Sequence, residues 1–363
     1  MFDRKVFLHL DWWLLGYMAI IMIIGVINLN SASTAGSYYQ WKQAQWYAAG
    51  TVFMLLCIIF DYRVLASHAV HIYILTVVLL LLVIFVGKSV SGSQRWIPLG
   101  FFNLQPSEFA KLSTVIVVSS YFYHNEKPSY GIKDLIRPTL LMAVPFFLIF
   151  RQPDLGTALL VLLIMASIIL VAGLRWTSIL TIATACIAAA PLAWKLMKPY
   201  QRERIKIFLN PESDPLGSGY HIIQSKIAIG SGQLFGKGYM AGTQAHLDFL
   251  PEVHTDFAFS IWAEEWGFIG AFILLSVYFL IIAKGLQIAS QSKERFGSFL
   301  AFGITAMLFW QAVINICMVT GLMPVVGIPL PMISYGGSSV ITTMIGVGLL
   351  INIKSRRFIF DSK

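Results

Sequence analysis

Long runs of apolar residues recur along the whole chain, and each is about the length of a helix that crosses a membrane. Such a helix needs roughly 20 apolar residues. A soluble protein of 363 residues has too little interior to bury a chain that is 57% hydrophobic and only 12% charged. The sequence therefore predicts an all-α polytopic membrane protein, with a single integral membrane domain over residues 1–363. About ten spans are expected, near residues 12–29, 43–60, 69–87, 108–123, 137–152, 155–173, 177–194, 261–283, 297–319 and 337–353.

The distribution of lysine and arginine predicts how these spans are oriented. An even number of spans places both termini on one side, and the segments on that side carry most of the basic residues. The short loops on the other side hold little beyond Lys42, Lys88 and Arg95. Because basic loops stay inside, both termini are expected in the cytoplasm, with one large extracytoplasmic loop at about residues 195–260. This topology and anionic membrane lipids explain the formal charge of +9, so no nucleic-acid partner is expected.

Carboxylates and histidines crowd together near the end of that loop, from His246 to Gly267 (HLDFLPEVHTDFAFSIWAEEWG). Asp248, Glu252 and Asp256 fall four residues apart, and two more glutamates lie inside the apolar run that follows. Acidic side chains at the edge of hydrocarbon are costly and are usually kept for a function. One interpretation is a reactive carboxylate at the mouth of a membrane-embedded cavity. The other is a solvated loop that is simply acidic.

Polar residues also mark the outer ends of other spans. Residues 88–105 are expected to form an irregular connection, and a helix is expected to start at Pro106, with Glu108 in its first turn and Lys111 on the same face. These two residues form either a local ion pair or part of a site. Asp154 either caps the helix that follows it or faces the same cavity.

Two glycine-rich stretches lie in the outer segments. Residues 230–242 contain five glycines, but their spacing fits neither a P-loop nor a dinucleotide-binding fingerprint, so a flexible or tightly turned loop is expected. Residues 321–339 (GLMPVVGIPLPMISYGGSS) contain three prolines and four glycines. Irregular backbone at membrane depth is tolerated where it lines protein or a wet cavity. This stretch is therefore either a re-entrant loop that forms a wall of a site or a stiff connector.

The residue types limit the chemistry without settling it. The seven histidines and three cysteines have no spacing typical of a metal site or a disulfide framework, so no metal ligands are assigned. Carboxylates and basic residues beside apolar helices suit a lipid-linked anionic substrate, since basic side chains hold a pyrophosphate and a carboxylate deprotonates a sugar hydroxyl. They suit a proton-coupled transporter equally well. Spacing alone leaves both functions open.

Several blocks of sequence resemble one known family. The blocks SGSQRWIPLG, QPSEFAK, QPDLGTA, QSKIAIGSG, FLPEVHTDF with AEEWG, and GIPLPMISYGGSS are similar to the signature blocks of the SEDS family (shape, elongation, division, sporulation) and run from about residue 91 to 340. The stretch KGYMAGTQAHLDFLPEVHTDF looks most like the rod-shape elongation member. The resemblance implies a peptidoglycan glycosyltransferase that polymerises lipid II at the outer face of the bacterial cytoplasmic membrane and releases undecaprenyl pyrophosphate.

The resemblance also implies roles for individual residues. Asp256, in the His-Thr-Asp-Phe block, matches the family's essential aspartate and is expected to be the general base for the acceptor 4-hydroxyl. Glu108, Lys111 and Asp154 match polar positions of the family's central cavity. The residues expected to bind substrate are Glu108, Lys111, Asp154, Arg202, Arg204, Glu252, His254 and Thr255.

Partners follow from the same resemblance: a class B penicillin-binding protein that acts as transpeptidase, lipid II as substrate, and membrane lipids. No cofactor is assigned, although a divalent cation, Mg²⁺ or Mn²⁺, is compatible with a pyrophosphate leaving group. The alternatives are a lipid II flippase or transporter, a non-catalytic scaffold for the wall machinery, and a division or sporulation member of the same family.

Overall fold

The structure, a computed structural model, is a bundle of helices and describes residues 10–32, 38–90, 93–98, 100, 102–214, 217–246 and 253–359. Two short 3₁₀ turns, Ile132–Leu135 and Pro211–Ser213, lie between its helices. The helices are α1 (Trp12–Ala32), α2 (Tyr38–Ile59), α3 (Arg63–Val86), α4 (Pro106–His124), α5 (Ile136–Arg151), α6 (Leu155–Gly173), α7 (Trp176–Leu196), α8 (Pro199–Leu209), α9 (Ser218–Ser231), α10 (Thr243–His246), α11 (Ala258–Gln291), α12 (Arg295–Val319) and α13 (Gly337–Ile359).

Every predicted span coincides with one of these helices, namely α1 to α7 and α11 to α13. Six of them are long and apolar enough to cross a membrane by length and composition: α1, α3, α6, α11, α12 and, in α13, Gly337–Arg357. The other four are shorter or more polar. The prediction of an all-α polytopic membrane protein is therefore confirmed. The long segment that the sequence predicts to be extracytoplasmic contains α8, α9 and α10, which lie between α7 and α11.

A small antiparallel sheet precedes α4, where the sequence predicted only an irregular connection. Its strands are β1 (Lys88–Val90), β2 (Ser93–Pro98) and β3 (Asn103–Leu104), in the order β1-β2-β3. Lys88 pairs with Trp96, and Ile97 pairs with Leu104. Pairing between strands satisfies backbone groups that the prolines and glycine of this segment keep out of a helix. The predicted helix start is confirmed, because Pro106 is the first residue of α4.

The glycine-rich loop, residues 230–242, supplies hydrogen-bond partners to the backbone on both sides of a break in α11. Gly267 lies inside that helix with φ 63° and ψ −161°, which interrupts its hydrogen bonding. The loop is tightly turned and bonds to both sides of the break, so that the backbone groups freed by Gly267 find partners. The bonds run from Lys237 N to Glu264 O (3.0 Å), Gly238 N to Glu265 O (3.0 Å), Phe268 N to Gln233 O (2.8 Å) and Ile269 N to Leu234 O (3.2 Å).

The buried loop, residues 321–336, lies among the helices and supports the re-entrant interpretation of this segment. Its residues Ile328, Leu330 and Ile333 are buried although the backbone forms no helix. Side chains from α2, α11 and α12 supply hydrogen-bond donors to its carbonyl groups. These donors are Asn315 Nδ2 to Ile328 O (2.7 Å), Gln311 Nε2 to Pro329 O (3.4 Å), Tyr278 Oη to Pro331 O, Tyr47 Oη to Met332 O, and Gln43 Nε2 to Ser334 O (3.2 Å).

The substitution Gly236→Ala should destabilise the fold by at least about 2 kcal/mol. Gly236 has φ +81°, and a β-carbon there would collide with the carbonyl oxygen of Glu265 in α11. The matched control is Gly16→Ala in α1, where no atom lies within 4 Å of the added carbon. That change should be neutral or stabilise the helix by roughly 0.5–1 kcal/mol. Thermal unfolding in detergent measures both, and equal midpoints for the two variants would contradict the packing described for the glycine-rich loop.

Candidate active site

Asp256 lies in the turn that leads into α11, two residues before the first residue of that helix. Its side chain is half-buried, and its backbone oxygen accepts a hydrogen bond from Asn315 Nδ2 at 2.9 Å. Gly327 in the buried loop leaves room beside the carboxylate, because a β-carbon at that position would lie only 3.3 Å from Asp256 Oδ2.

Two carboxamides on α12 connect this aspartate to the ion pair on α4. Gln311 and Asn315 are both buried and lie four residues apart, on one face of the helix. Gln311 Oε1 accepts from Lys111 Nζ at 3.3 Å, whereas Asn315 holds the backbone of Asp256. Four residues correspond to about 6 Å along a helix axis, so Lys111 and Asp256 reach the same short stretch of α12.

Glu108 and Lys111 form a buried ion pair three residues apart, as the ion-pair interpretation of the sequence predicted. Lys111 Nζ lies 2.8 Å from Glu108 Oε1, and the two side chains are 2% and 4% exposed. Burial of two charges costs desolvation energy that their attraction repays only with good geometry and further hydrogen bonds. Gln311 supplies one such bond to Lys111. The pair is thus a fixed, nearly neutral polar group inside the bundle.

Asp154 caps α6, which confirms the first of its two predicted roles. Its carboxylate accepts from Thr157 N at 3.1 Å and from Thr157 Oγ1 at 3.0 Å, and it lies 3.8 Å from the guanidinium of Arg95 on β2. Two residues later, Gly156 packs so closely on the buried loop that a β-carbon would approach Val326 O to 2.6 Å. Asp154 therefore sets the start of α6 against the same loop that flanks Asp256.

Aromatic rings cluster around the turn that contains Asp256. The ring of His254 stacks on Tyr39 of α2, with centroids 4.3 Å apart, and Tyr335 packs edge-on against Tyr39 at 5.0 Å. The backbone N–H of Tyr335 donates to His254 O at 2.8 Å, which ties the buried loop to the turn that contains Asp256. Thr255 is half-buried within this turn.

The long segment between α7 and α11 reaches the site through α9. The His221 ring lies near Phe257, with centroids 6.4 Å apart, and burial lowers the pKa of this histidine. One turn further on, Ser225 Oγ lies 2.8 Å from Ser260 Oγ and donates to Val319 O at 2.6 Å. α9 is therefore fixed to both α11 and α12.

The remaining predicted residues are not brought to Asp256 by the contacts described here. Arg202 and Arg204 lie on α8, where Arg202 donates to Lys195 O at 2.7 Å within its own segment, and α8 packs chiefly against the 3₁₀ turn at Pro211–Ser213 and against α9. Glu252 lies outside the described residues. The two arginines remain predictions as substrate ligands.

Sequence reasoning missed the residues that hold the site together. Gln311 and Asn315 are carboxamides inside an otherwise apolar run (FWQAVINIC), and that isolation was the available signal. Glu264, which the sequence marked as a costly acid, has a structural role, because it accepts from Lys237 Nζ at 2.6 Å and from Thr243 N at 2.9 Å in the segment around the glycine-rich loop.

The side chains of the described residues do not by themselves form a metal site. Within the described ranges, no group of three or more His, Cys, Asp or Glu side chains is placed to hold a metal ion. The carboxamide nitrogens of Gln311 and Asn315 donate to backbone oxygens, and Gln311 Oε1 accepts a hydrogen bond from Lys111 Nζ. Mg²⁺ and Mn²⁺ prefer several oxygen ligands, which this part of the site does not supply.

Comparison with protein families gives a match over almost the whole chain. The family model for FtsW, RodA and SpoVE, described as "Cell cycle protein", matches residues 5–358. Among individual proteins, the chain is 41% identical over 359 residues to the peptidoglycan glycosyltransferase MrdB of Escherichia coli strain K12, which covers 98% of this chain and 97% of that one.

Two solved structures resemble this chain over almost its whole length. One chain, from a structure described as "Structural coordination of polymerization and crosslinking by a peptidoglycan synthase complex", matches with a TM-score of 0.84 and 33% identity, over 96% of this chain and 98% of that one. The crystal structure of the Thermus thermophilus rod shape determining protein RodA matches with a TM-score of 0.72 and 29% identity, also over 96% and 98%.

The substitution Lys111→Met should destabilise the protein by about 3–5 kcal/mol, because it leaves Glu108 buried without its cation. The double change Glu108→Gln with Lys111→Met should recover most of this loss. Thermal unfolding in detergent measures both.

The control is Lys127→Met, which breaks an exposed ion pair with Asp134 and should cost less than about 1 kcal/mol. An unfolding midpoint for Lys111→Met as high as that of Lys127→Met would contradict the assignment of a buried pair. If the double variant is as stable as the wild type but has lost enzymatic activity, the pair also acts on the substrate.

Proposed function

The chain belongs to the FtsW/RodA/SpoVE family of cell cycle proteins, and on this basis we propose that it is a peptidoglycan glycosyltransferase of rod-shape elongation. Its reaction joins lipid II units into glycan strands and releases undecaprenyl pyrophosphate. The protein is a multi-pass membrane protein. We place it in the bacterial cytoplasmic membrane with Asp256 on the outer side, because the basic loops lie at the opposite ends of the spans.

One observation carries the catalytic part of the proposal. The carboxylate of Asp256 is half-buried, and its Oδ2 atom lies beside Gly327. Asn315 on α12 holds the backbone of Asp256, and the same face of α12 contacts the Glu108–Lys111 pair through Gln311. A general base must be held in position and must have space for its substrate. The arrangement supplies both, through Asn315 and Gly327.

Asp256 then acts as general base in one substitution at the anomeric carbon. A carboxylate oxygen takes the proton of the acceptor sugar 4-hydroxyl while that oxygen forms a bond to the donor anomeric carbon. The bond between this carbon and the pyrophosphate oxygen breaks, and its electron pair leaves with undecaprenyl pyrophosphate. A positioned base contributes roughly 10²- to 10⁴-fold to such a rate.

Neighbouring groups provide the contacts that the substrate needs. The rings of Tyr39, His254 and Tyr335 form an aromatic surface beside Asp256, on which a sugar face can pack while polar edges remain available. Lys111 has three N–H donors, of which two bond to Glu108 and Gln311, and we propose that it donates the third to the leaving pyrophosphate. Arg202 and Arg204 are proposed contacts for the pyrophosphate outside the bundle, and Asp154 supports the wall of the site.

A membrane partner belongs to the proposal. The chain from the peptidoglycan synthase complex, whose description names both polymerisation and crosslinking, resembles this protein over 96% of its length. We propose a class B penicillin-binding protein as the partner, since a transpeptidase would crosslink the strands that this chain makes. The steps above are assigned to side chains of this chain, and a divalent cation, Mg²⁺ or Mn²⁺, stays part of the proposal as an ion compatible with the pyrophosphate leaving group.

A lipid II transporter is the second candidate, because buried acids such as Glu108 also occur in proton relays. The arrangement favours the transferase. Glu108 is neutralised by Lys111, and the carboxylate beside Gly327 belongs to a turn at the helix start and not to the middle of a span.

The substitution Asp256→Asn should lower the rate of lipid II polymerisation at least about 100-fold, because the amide cannot accept the proton. Fluorescent lipid II is incubated with the purified chain and its class B partner, and the strands are separated by gel electrophoresis. The matched control is Asp214→Asn, which removes a carboxylate from the same outer segment and should polymerise like the wild type.

Polymer at wild-type rate from Asp256→Asn would refute Asp256 as the base. Wild-type protein that forms no polymer with its partner, yet moves lipid II across vesicles, would instead favour the transporter. Unfolding midpoints of the two variants establish that any loss of activity does not arise from loss of fold.

A further inference from the structure

The tip of the glycine-rich loop carries large apolar side chains that take no part in the proposed reaction. Leu234 and Phe235 are 59% and 80% exposed, and Tyr239 and Met240, a few residues later in the same loop, are 44% and 46% exposed. A group of exposed apolar side chains marks a surface that binds another protein or a membrane. The contacts of the loop with the rest of the chain favour one of these two partners.

The backbone at the tip is bonded inside the protein. Gly236 N donates to Gly232 O at 2.8 Å and closes a turn that contains Leu234 and Phe235. Leu234 O accepts from Ile269 N at 3.2 Å, so the tip lies directly beside α11. Backbone groups that lack such partners are costly in an apolar environment, whereas bonded groups are tolerated there. These bonds therefore make the tip compatible with hydrocarbon.

Exposed side chains of α11 continue the apolar surface of the tip. Phe268, Ile269 and Phe272 follow the break at Gly267, and all three are exposed. α11 is long and apolar enough to cross a membrane, and the sequence predicts that this end of the helix is the outer one. In a span of this kind, exposed apolar side chains face lipid. Because Leu234 is bonded to Ile269, the lipid-facing surface of the span extends onto the loop.

The polar groups of the loop are directed toward the protein. Lys237 is the one charged residue of the loop, and its Nζ atom lies 2.6 Å from Oε1 of buried Glu264 and 2.9 Å from Thr243 Oγ1. The hydroxyl of Tyr239 accepts from Asn30 Nδ2 on α1 at 2.7 Å, whereas its side chain is partly exposed. A protein-binding surface usually surrounds its apolar centre with a polar rim. Here the apolar surface continues into a span, and an amphipathic tyrosine ring is typical of the level where hydrocarbon meets head groups.

We propose that the tip of the glycine-rich loop inserts into the outer leaflet of the bilayer and anchors the loop there. Leu234 and Phe235 lie among the acyl chains of membrane lipids, and the ring of Tyr239 lies at the level of the glycerol groups. The occupant of this surface is therefore bilayer lipid and not a partner protein. The anchor is separate from the glycosyltransferase reaction, because no residue assigned to catalysis or to substrate binding contributes to it.

The test identifies the molecules that lie against the tip in a bilayer. The photoreactive residue benzoylphenylalanine replaces Phe235 in the full-length chain, which keeps an aromatic side chain at this position. The same replacement of Phe279, exposed further along α11, gives a lipid-facing reference, and that of Glu212, exposed in the polar turn Pro211–Ser213, gives the control. Each chain is irradiated in nanodiscs of phosphatidylcholine, and mass spectrometry identifies the adducts after hydrolysis of the lipid esters. An adduct that keeps a fatty acid reports contact with an acyl chain.

We expect Phe235 to give fatty-acid adducts with a yield within about threefold of that at Phe279 and at least about tenfold above that at Glu212. The same replacement of Leu234 should repeat this result, and unfolding midpoints in detergent establish that each chain is folded. A fatty-acid yield at Phe235 and Leu234 as low as at Glu212, or adducts with the head group alone, would overturn the proposal. Adducts that move from lipid to the class B partner when that protein is added to the nanodiscs would assign the surface to the partner, which also overturns the lipid assignment.

Discussion

The satisfaction of backbone hydrogen bonds inside an apolar bundle governs this structure more than any other constraint. Carbonyl groups that leave a helix within such a bundle have no water to bind, so each needs a donor from the protein. The buried loop obtains its donors from five side chains on three helices. Asn315 serves this loop and also holds the backbone of Asp256. The packing that stabilises the loop therefore also fixes the proposed base.

The sequence predicted those parts of the fold that depend on local pattern. The spans follow from the length of the apolar runs, the start of α4 follows from Pro106, and the Glu108–Lys111 pair follows from a spacing of three residues. The break in α11 could not be predicted in the same way. Its position depends on a loop about 30 residues earlier whose backbone bonds to both sides of the break. The only signal in the sequence is that both segments contain glycine.

The site shows the same division between local and distant causes. The choice of Asp256 came from the resemblance to a family, because spacing alone fitted a transporter equally well. The capping role of Asp154 could be read from its position before a helix, whereas its contact with Arg95 joins residues 59 positions apart across a small sheet that was not predicted. Gln311 and Asn315 gave a signal only as polar residues in an apolar run, and their partners appear only in three dimensions.

The break at Gly267 also divides α11 into one part long enough to cross a bilayer and one part that is not needed for the crossing. α11 has 34 residues and would measure about 51 Å if straight, although hydrocarbon is only about 30 Å thick. The part after the break has about 24 residues, or roughly 36 Å, which is enough to cross hydrocarbon with some tilt. The part before the break, which includes the start of the helix next to Asp256, is then not needed to cross the hydrocarbon. In the proposed reaction, this arrangement would let a lipid-linked substrate keep its tail in the membrane while its sugars meet the proposed base.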